Sequence, residues 1–117
     1  MKRILVVDDD RNAMNGLSAL LEMDGYEVLG FTSSEDALQR LQSEEHFDAV
    51  ITDLEMPKVH GLEMVRAART GARELPVIVV TAYVNSPASK SAFALGAKAV
   101  LNKPLKYDTL LEALPPP

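Results

Sequence analysis

Ile4-Leu5-Val6-Val7-Asp8-Asp9-Asp10 opens the chain with a short apolar run that ends in three acids. The same grammar recurs: Ala49-Val50-Ile51-Thr52 leads into Asp53, Val77-Ile78-Val79-Val80 into Thr81, and Ala99-Val100-Leu101-Asn102 into Lys103. Unbroken apolar runs of this length suit strands of a parallel sheet covered on both faces. The carboxyl ends of such strands share one edge, so acids, a hydroxyl and an ammonium far apart in sequence meet around one pocket.

The segments between the runs have helical spacing. Met14, Leu17, Leu20 and Leu21 form an apolar stripe that ends at Asp24-Gly25, where glycine suits a left-handed C-terminal cap. Glu27 to Phe31 reads as the second strand. Ser33 and Asp36 open the next helix as a variant capping box, and Ala37, Leu38 and Leu41 give it a buried stripe. After the third strand a helix starts near Gly61, with Leu62 and Val65 inward. Pro76 stands at the entry of the fourth strand, where a missing ladder donor is tolerated. Ser86-Pro87 supplies an N-cap and first helical residue, with Ala88, Ala92 and Leu95 on one face. Tyr107, Leu110, Leu111 and Leu114 mark a last helix of about two turns. Five strand-like runs alternating with helices predict an α/β fold, a doubly wound five-stranded parallel sheet with helices on both faces.

At 117 residues the chain has room for one core. Residues 1–114 are expected to form that domain. Pro115-Pro116-Pro117 follows as a tail that a chance terminus and the start of a linker to another domain explain equally well. With 47 % hydrophobic and 25 % charged residues the composition is that of a soluble globular domain. No apolar stretch nears the ~20 residues of a membrane span, and no signal-peptide pattern opens the chain. Cysteine is absent, which removes disulfides and thiolate metal sites and fits a cytoplasmic protein. Acids outnumber Lys and Arg 17 to 12, for a net charge of −5, so direct nucleic-acid binding by this domain is not expected.

Asp8 and Asp9 beside Asp53 repel one another unless a cation or protons intervene. Carboxylate oxygens, retained waters and a place for a phosphate oxygen describe magnesium better than zinc or a closed calcium site. Lys103 adds a fixed positive charge, so the pocket can hold a tetrahedral anion. A carboxylate oxygen of Asp53 is then placed to attack phosphorus in line and form an acyl phosphate. Thr81 offers its hydroxyl to the new phosphoryl oxygens, and the small Ala82 leaves the pocket open. Singly, each residue has a bland explanation: an acidic loop, a turn, a strand cap, a surface lysine. Their joint placement after separate strands favours the site. Asp10 is expected to cap the first helix instead. His46 and His60 read as exposed loop histidines with no partner at metal-ligand spacing, and Met14, Met56 and Met64 as packing residues.

The sequence resembles the receiver domains of response regulators over essentially its whole length. The resemblance rests on Asp8-Asp9, on Asp53-Leu54-Glu55-Met56-Pro57 followed by Gly61, on Thr81-Ala82 and on Lys103-Pro104. It implies the flavodoxin-like strand order 2-1-3-4-5 and a two-component signalling switch with Asp53 as phosphoacceptor. Asp8, Asp9, Asp53 and the Glu55 backbone carbonyl would hold magnesium, with manganese as a substitute, while Thr81 and Lys103 would read the phosphoryl group. It further implies a histidine kinase or phosphotransfer protein as donor, a downstream effector, homodimerisation on phosphorylation as an option, and a cis peptide before Pro104.

One position departs from the family. Many receivers carry an aromatic residue three positions before the lysine, which swings inward as the threonine moves; here that residue is Val100. The signal is therefore expected to travel through the Ala82–Asn85 loop and the following helix, with Tyr83 as a large reporter. Glu55 and Tyr83 flank the pocket mouth by resemblance, and the sequence leaves open whether Glu55 repels anions or positions water. Two other classes remain in view. Asp8 as nucleophile and Asp10 as general acid would make a small magnesium-dependent phosphatase or phosphotransferase, although the chain has no room for a substrate cap and Asp9 is then unexplained. A flavin-binding module shares the strand pattern, but its phosphate loop calls for Ser, Thr and Gly donors where this chain has three acids.

Overall fold

The computed structural model describes residues 1–71 and 74–117. Five strands alternate with five helices: β1 Arg3–Val7, α1 Arg11–Met23, β2 Glu27–Phe31, α2 Ser34–Leu41, β3 Ala49–Asp53, α3 Gly61–Thr70, β4 Val77–Thr81, α4 Pro87–Ala94, β5 Ala99–Asn102 and α5 Tyr107–Ala113. The strands pair in parallel in the order β2-β1-β3-β4-β5. Each strand sends alternate side chains to opposite faces. Leu5, Val7, Val50, Val77 and Val79 meet the buried residues of α2, α3 and α4 on one face, among them Ala37, Met64, Val65 and Ala92. Ile4, Val6, Ala49, Ile51, Ile78 and Val80 meet Met14, Leu21 and Leu110 of α1 and α5 on the other. Both faces of β1, β3 and β4 are thus covered, which is why these strands read as continuous apolar runs.

The helix starts follow the sequence closely. Asp10 Oδ1 accepts hydrogen bonds from Asn12 N and Ala13 N, Ser33 Oγ from Asp36 N, and Ser86 Oγ from Ser89 N. Gly25 adopts a φ of +96° after α1, as a left-handed cap requires.

Leu20, although it shares the helical spacing of α1, is 44 % exposed. Adjacent helix positions point about 100° apart, so of Leu20 and Leu21 only Leu21 can face the sheet. His60 is not a bare loop residue: it caps α3, its Nδ1 accepting from Leu62 N. His46, although exposed, is partnered by Asp48 at 3.1 Å. Met14, Met56 and Met64 are buried as expected.

The loop between β3 and α3 is pinned from two sides. Ser34 is a buried residue whose hydroxyl donates to Pro57 O at 2.8 Å and accepts from Val59 N at 3.2 Å. Gly61 N donates to Leu54 O at 2.9 Å, and a Cβ at Gly61 would run into the Asp53 carbonyl and the Leu54 backbone. Gly61→Ala is therefore expected to lower unfolding free energy by about 1–3 kcal/mol, because backbone atoms cannot step aside. Gly16→Ala, in α1 with nothing within 4 Å of the added carbon, is expected to raise it by roughly 0.5–1 kcal/mol. Urea unfolding of the two variants checks the opposite signs.

Candidate functional site

The strand register delivers the polar residues to one edge. Val7 lies opposite Thr52, Asp53 opposite Val80, and Thr81 opposite Asn102. Asp8 and Lys103 each follow one residue beyond these pairs, tied by hydrogen bonds from Asp8 N to Phe31 O and from Lys103 N to Thr81 O. The strand order reverses between β1 and β3, the position where open doubly wound sheets generally bind ligands.

At that edge, ligand oxygens of Asp8, Asp9 and Asp53 lie within 4.8 Å of one another. Asp53 is 6 % exposed, Asp8 half-buried and Asp9 exposed. Lys103 Nζ donates to Asp53 Oδ2 at 2.8 Å and stands 3.8 Å from Asp8 Oδ2. Burial raises the Asp8 carboxyl above its ordinary pKa, and the charges of Asp53 and Asp9 add to the rise, against the Asp10 N–H and Lys103. Burial alone would lower the pKa of the Lys103 ammonium, but the hydrogen bond and charge of Asp53, with Asp8 and Asp9, outweigh burial and raise it. One ammonium thus serves three carboxylates and leaves net negative charge in the pocket. A divalent cation fits such an all-oxygen donor set. Beside the acids a cavity of about 370 Å³ extends between α1 and the segment after β5, ample for a phosphoryl group and ordered water.

Thr81 is fully buried at the end of β4. Its hydroxyl donates to Glu55 Oε1 at 2.6 Å, with Oε2 at 3.1 Å, and accepts from Tyr83 N at 3.0 Å. The sequence places Glu55 at the pocket mouth but not in the grip of Thr81; two loops must converge for that bond to exist. Tyr83 is 65 % exposed. Val100 is half-buried against the core on the α2–α4 face, with no ring to relocate. The Lys103–Pro104 peptide is cis, as expected. Asp10, whose Oδ1 caps α1, is committed to structure and is a poor candidate for a general acid.

The sequence matches the response regulator receiver domain family over residues 4–115. It is 39 % identical over 116 residues to the sensory/regulatory protein RpfC of Xanthomonas campestris, covering 96 % of this chain and 16 % of that protein. Among solved structures it resembles response regulator TrrA of Thermotoga maritima in complex with Mg(2+)-BeF, with a TM-score of 0.83, 36 % identity and coverage of 96 % of this chain and 95 % of that one. A Burkholderia pseudomallei response regulator with a phosphorylated aspartic acid, calcium ion and citrate aligns with a TM-score of 0.87 and 27 % identity, over 98 % of this chain and 67 % of that one. The chain spans less than half the length of curated relatives it matches, from 16 % to 47 %. With its strand order, acidic pocket and family match in agreement, the chain belongs to the response-regulator receiver domains.

Proposed function

We propose that this domain is a phosphorylation-dependent switch whose phosphoacceptor is Asp53. The observation that carries the reading is the 2.8 Å hydrogen bond from Lys103 to a nearly buried Asp53 carboxylate, within a nest of three acids. Asp8, Asp9, Asp53 and the Glu55 carbonyl are the residues that would hold magnesium, or manganese in its place. The ion would supply charge neutralisation at the phosphoryl oxygens. Lys103 orients Asp53 and compensates charge from the other side. A carboxylate oxygen of Asp53 attacks the donor's phosphorus: the new P–O bond forms as the P–N bond of a phosphohistidine breaks, its electron pair staying on the imidazole nitrogen, which takes a proton. The donor is a histidine kinase or phosphotransfer protein, and the readout belongs to a downstream effector, whether in the same chain after Pro115 or in another, with homodimerisation as one route.

Phosphorylation adds about −1.5 to −2 charges and three acceptors at Asp53, next to Thr81. With valine at 100, the relay runs from Thr81 through the loop carrying Tyr83 into α4. The domain promotes its own phosphorylation and dephosphorylation without turning over a separate substrate. No helix among the described residues is long and apolar enough to cross a membrane.

Incubation with magnesium and acetyl phosphate is expected to add one base-labile phosphoryl group that maps to Asp53 and is lost in Asp53→Asn; a label elsewhere, or none, contradicts the reading. Magnesium at one hundred times its dissociation constant is expected to stabilise the fold by about 2.7 kcal/mol, with the midpoint concentration raised severalfold in Asp9→Asn. Thermal unfolding across a magnesium series measures both. Tyr83→Ala should leave phosphorylation intact while diminishing the chemical-shift response of α4; an intact response removes Tyr83 from the relay.

A further inference from the structure

A threonine hydroxyl has one proton to give. In this structure Thr81 gives it to Glu55, across 2.6 Å, while Tyr83 N occupies the same oxygen as a donor. Among the described residues, Lys103 is engaged with Asp53 and Asp8, and Lys58, three positions after Glu55, with Glu35 at 3.1 Å. Glu55 itself is exposed, so its carboxylate can leave for water without stranding a buried charge, whereas the buried Thr81 can exchange it only for another acceptor inside the pocket.

On the reading that Asp53 carries the phosphoryl group, we infer that Glu55 is a positioning residue: its carboxylate latches the Thr81 hydroxyl and withholds it from the phosphoryl oxygens until Asp53 is modified. The two acceptors compete for one proton. A phosphoryl group wins it because three charged oxygens arrive at the adjacent strand end, and their charge also repels the Glu55 carboxylate. Breaking the latch frees the β3–α3 loop, through Glu55, and the β4–α4 loop, through Tyr83 N on the same Thr81 oxygen, in one event. This couples two loops to the phosphoryl group without an aromatic side chain at position 100. The latch also biases the resting domain toward the off state, since uptake of an anion at Asp53 must first break a charge-assisted hydrogen bond.

Titration with beryllium trifluoride in saturating magnesium, followed by amide chemical shifts, tests the latch in the wild type, Glu55→Ala, Glu55→Gln, Thr81→Val and the Thr81→Val/Glu55→Ala pair. Glu55→Ala is expected to bind the probe about three- to tenfold more tightly, the scale of one partly exposed charge-assisted hydrogen bond. Glu55→Gln keeps an acceptor but loses the charge and should fall between alanine and the wild type. The gain should vanish when Thr81 is already valine, and the Tyr83 amide of probe-free Glu55→Ala should shift toward its probe-bound position. An equal gain in the Thr81→Val background would mean that Glu55 merely repels anions and would overturn the latch, as would unchanged or weaker binding in Glu55→Ala. Absence of uptake by the wild type overturns the phosphoacceptor reading and the latch with it, whereas normal uptake with an unresponsive Glu55→Ala overturns the latch alone.

Discussion

Three carboxylates held within 4.8 Å of one another by a rigid sheet edge constitute an electrostatic debt that the protein settles only in part. Lys103 supplies one positive charge, hydrogen-bonded to Asp53 and close to Asp8. Burial raises the pKa of Asp8 above the ordinary carboxylate value, and the charges of Asp53 and Asp9 add to the rise. A group in that condition destabilises the fold when charged and gains most from a cation. On the proposed function, that incomplete compensation would make the pocket receptive to a divalent ion, and through it to an anion that no purely acidic cleft would admit.

Rigidity is the second requirement. Parallel register, with apolar strands sandwiched between two helical layers, fixes where Asp8, Asp53, Thr81 and Lys103 emerge. Around this frame the loops differ in how firmly they are held. The β3–α3 loop is anchored by Ser34 and Gly61 near its ends, yet Glu55 projects into solvent and is fastened by its bond to Thr81. A stiff scaffold carrying one releasable contact is the arrangement from which a two-state response can be built, since a local charge change then selects between discrete loop positions.

Much of this was legible in the residue order. Apolar runs ending in Asp, Thr or Lys marked both the strands and the sheet edge where these polar residues gather, because a strand buried on both faces has no polar alternation to blur its limits. Caps at Asp10, Ser33 and Ser86 were equally legible, since short oxygen-bearing side chains before helical spacing have few other uses. What escaped depends on proximity that sequence spacing does not encode. The Glu55–Thr81 bond joins residues 26 positions apart through two loops, and Ser34 reaches Pro57 across 23 positions. The His60 cap escaped because an imidazole is an uncommon helix cap.

On the proposed function, Asp8, Asp9 and Asp53 act as one cation-binding unit around the reactive carboxylate. Carbon-13 chemical shifts of the aspartate carboxyl groups, followed through a magnesium titration, test it most directly. These three signals are expected to move along one saturation curve while those of Asp24, Asp36 and Asp108 stay still. An Asp53 signal that ignores magnesium while Asp8 and Asp9 respond, or three unrelated curves, would contradict it.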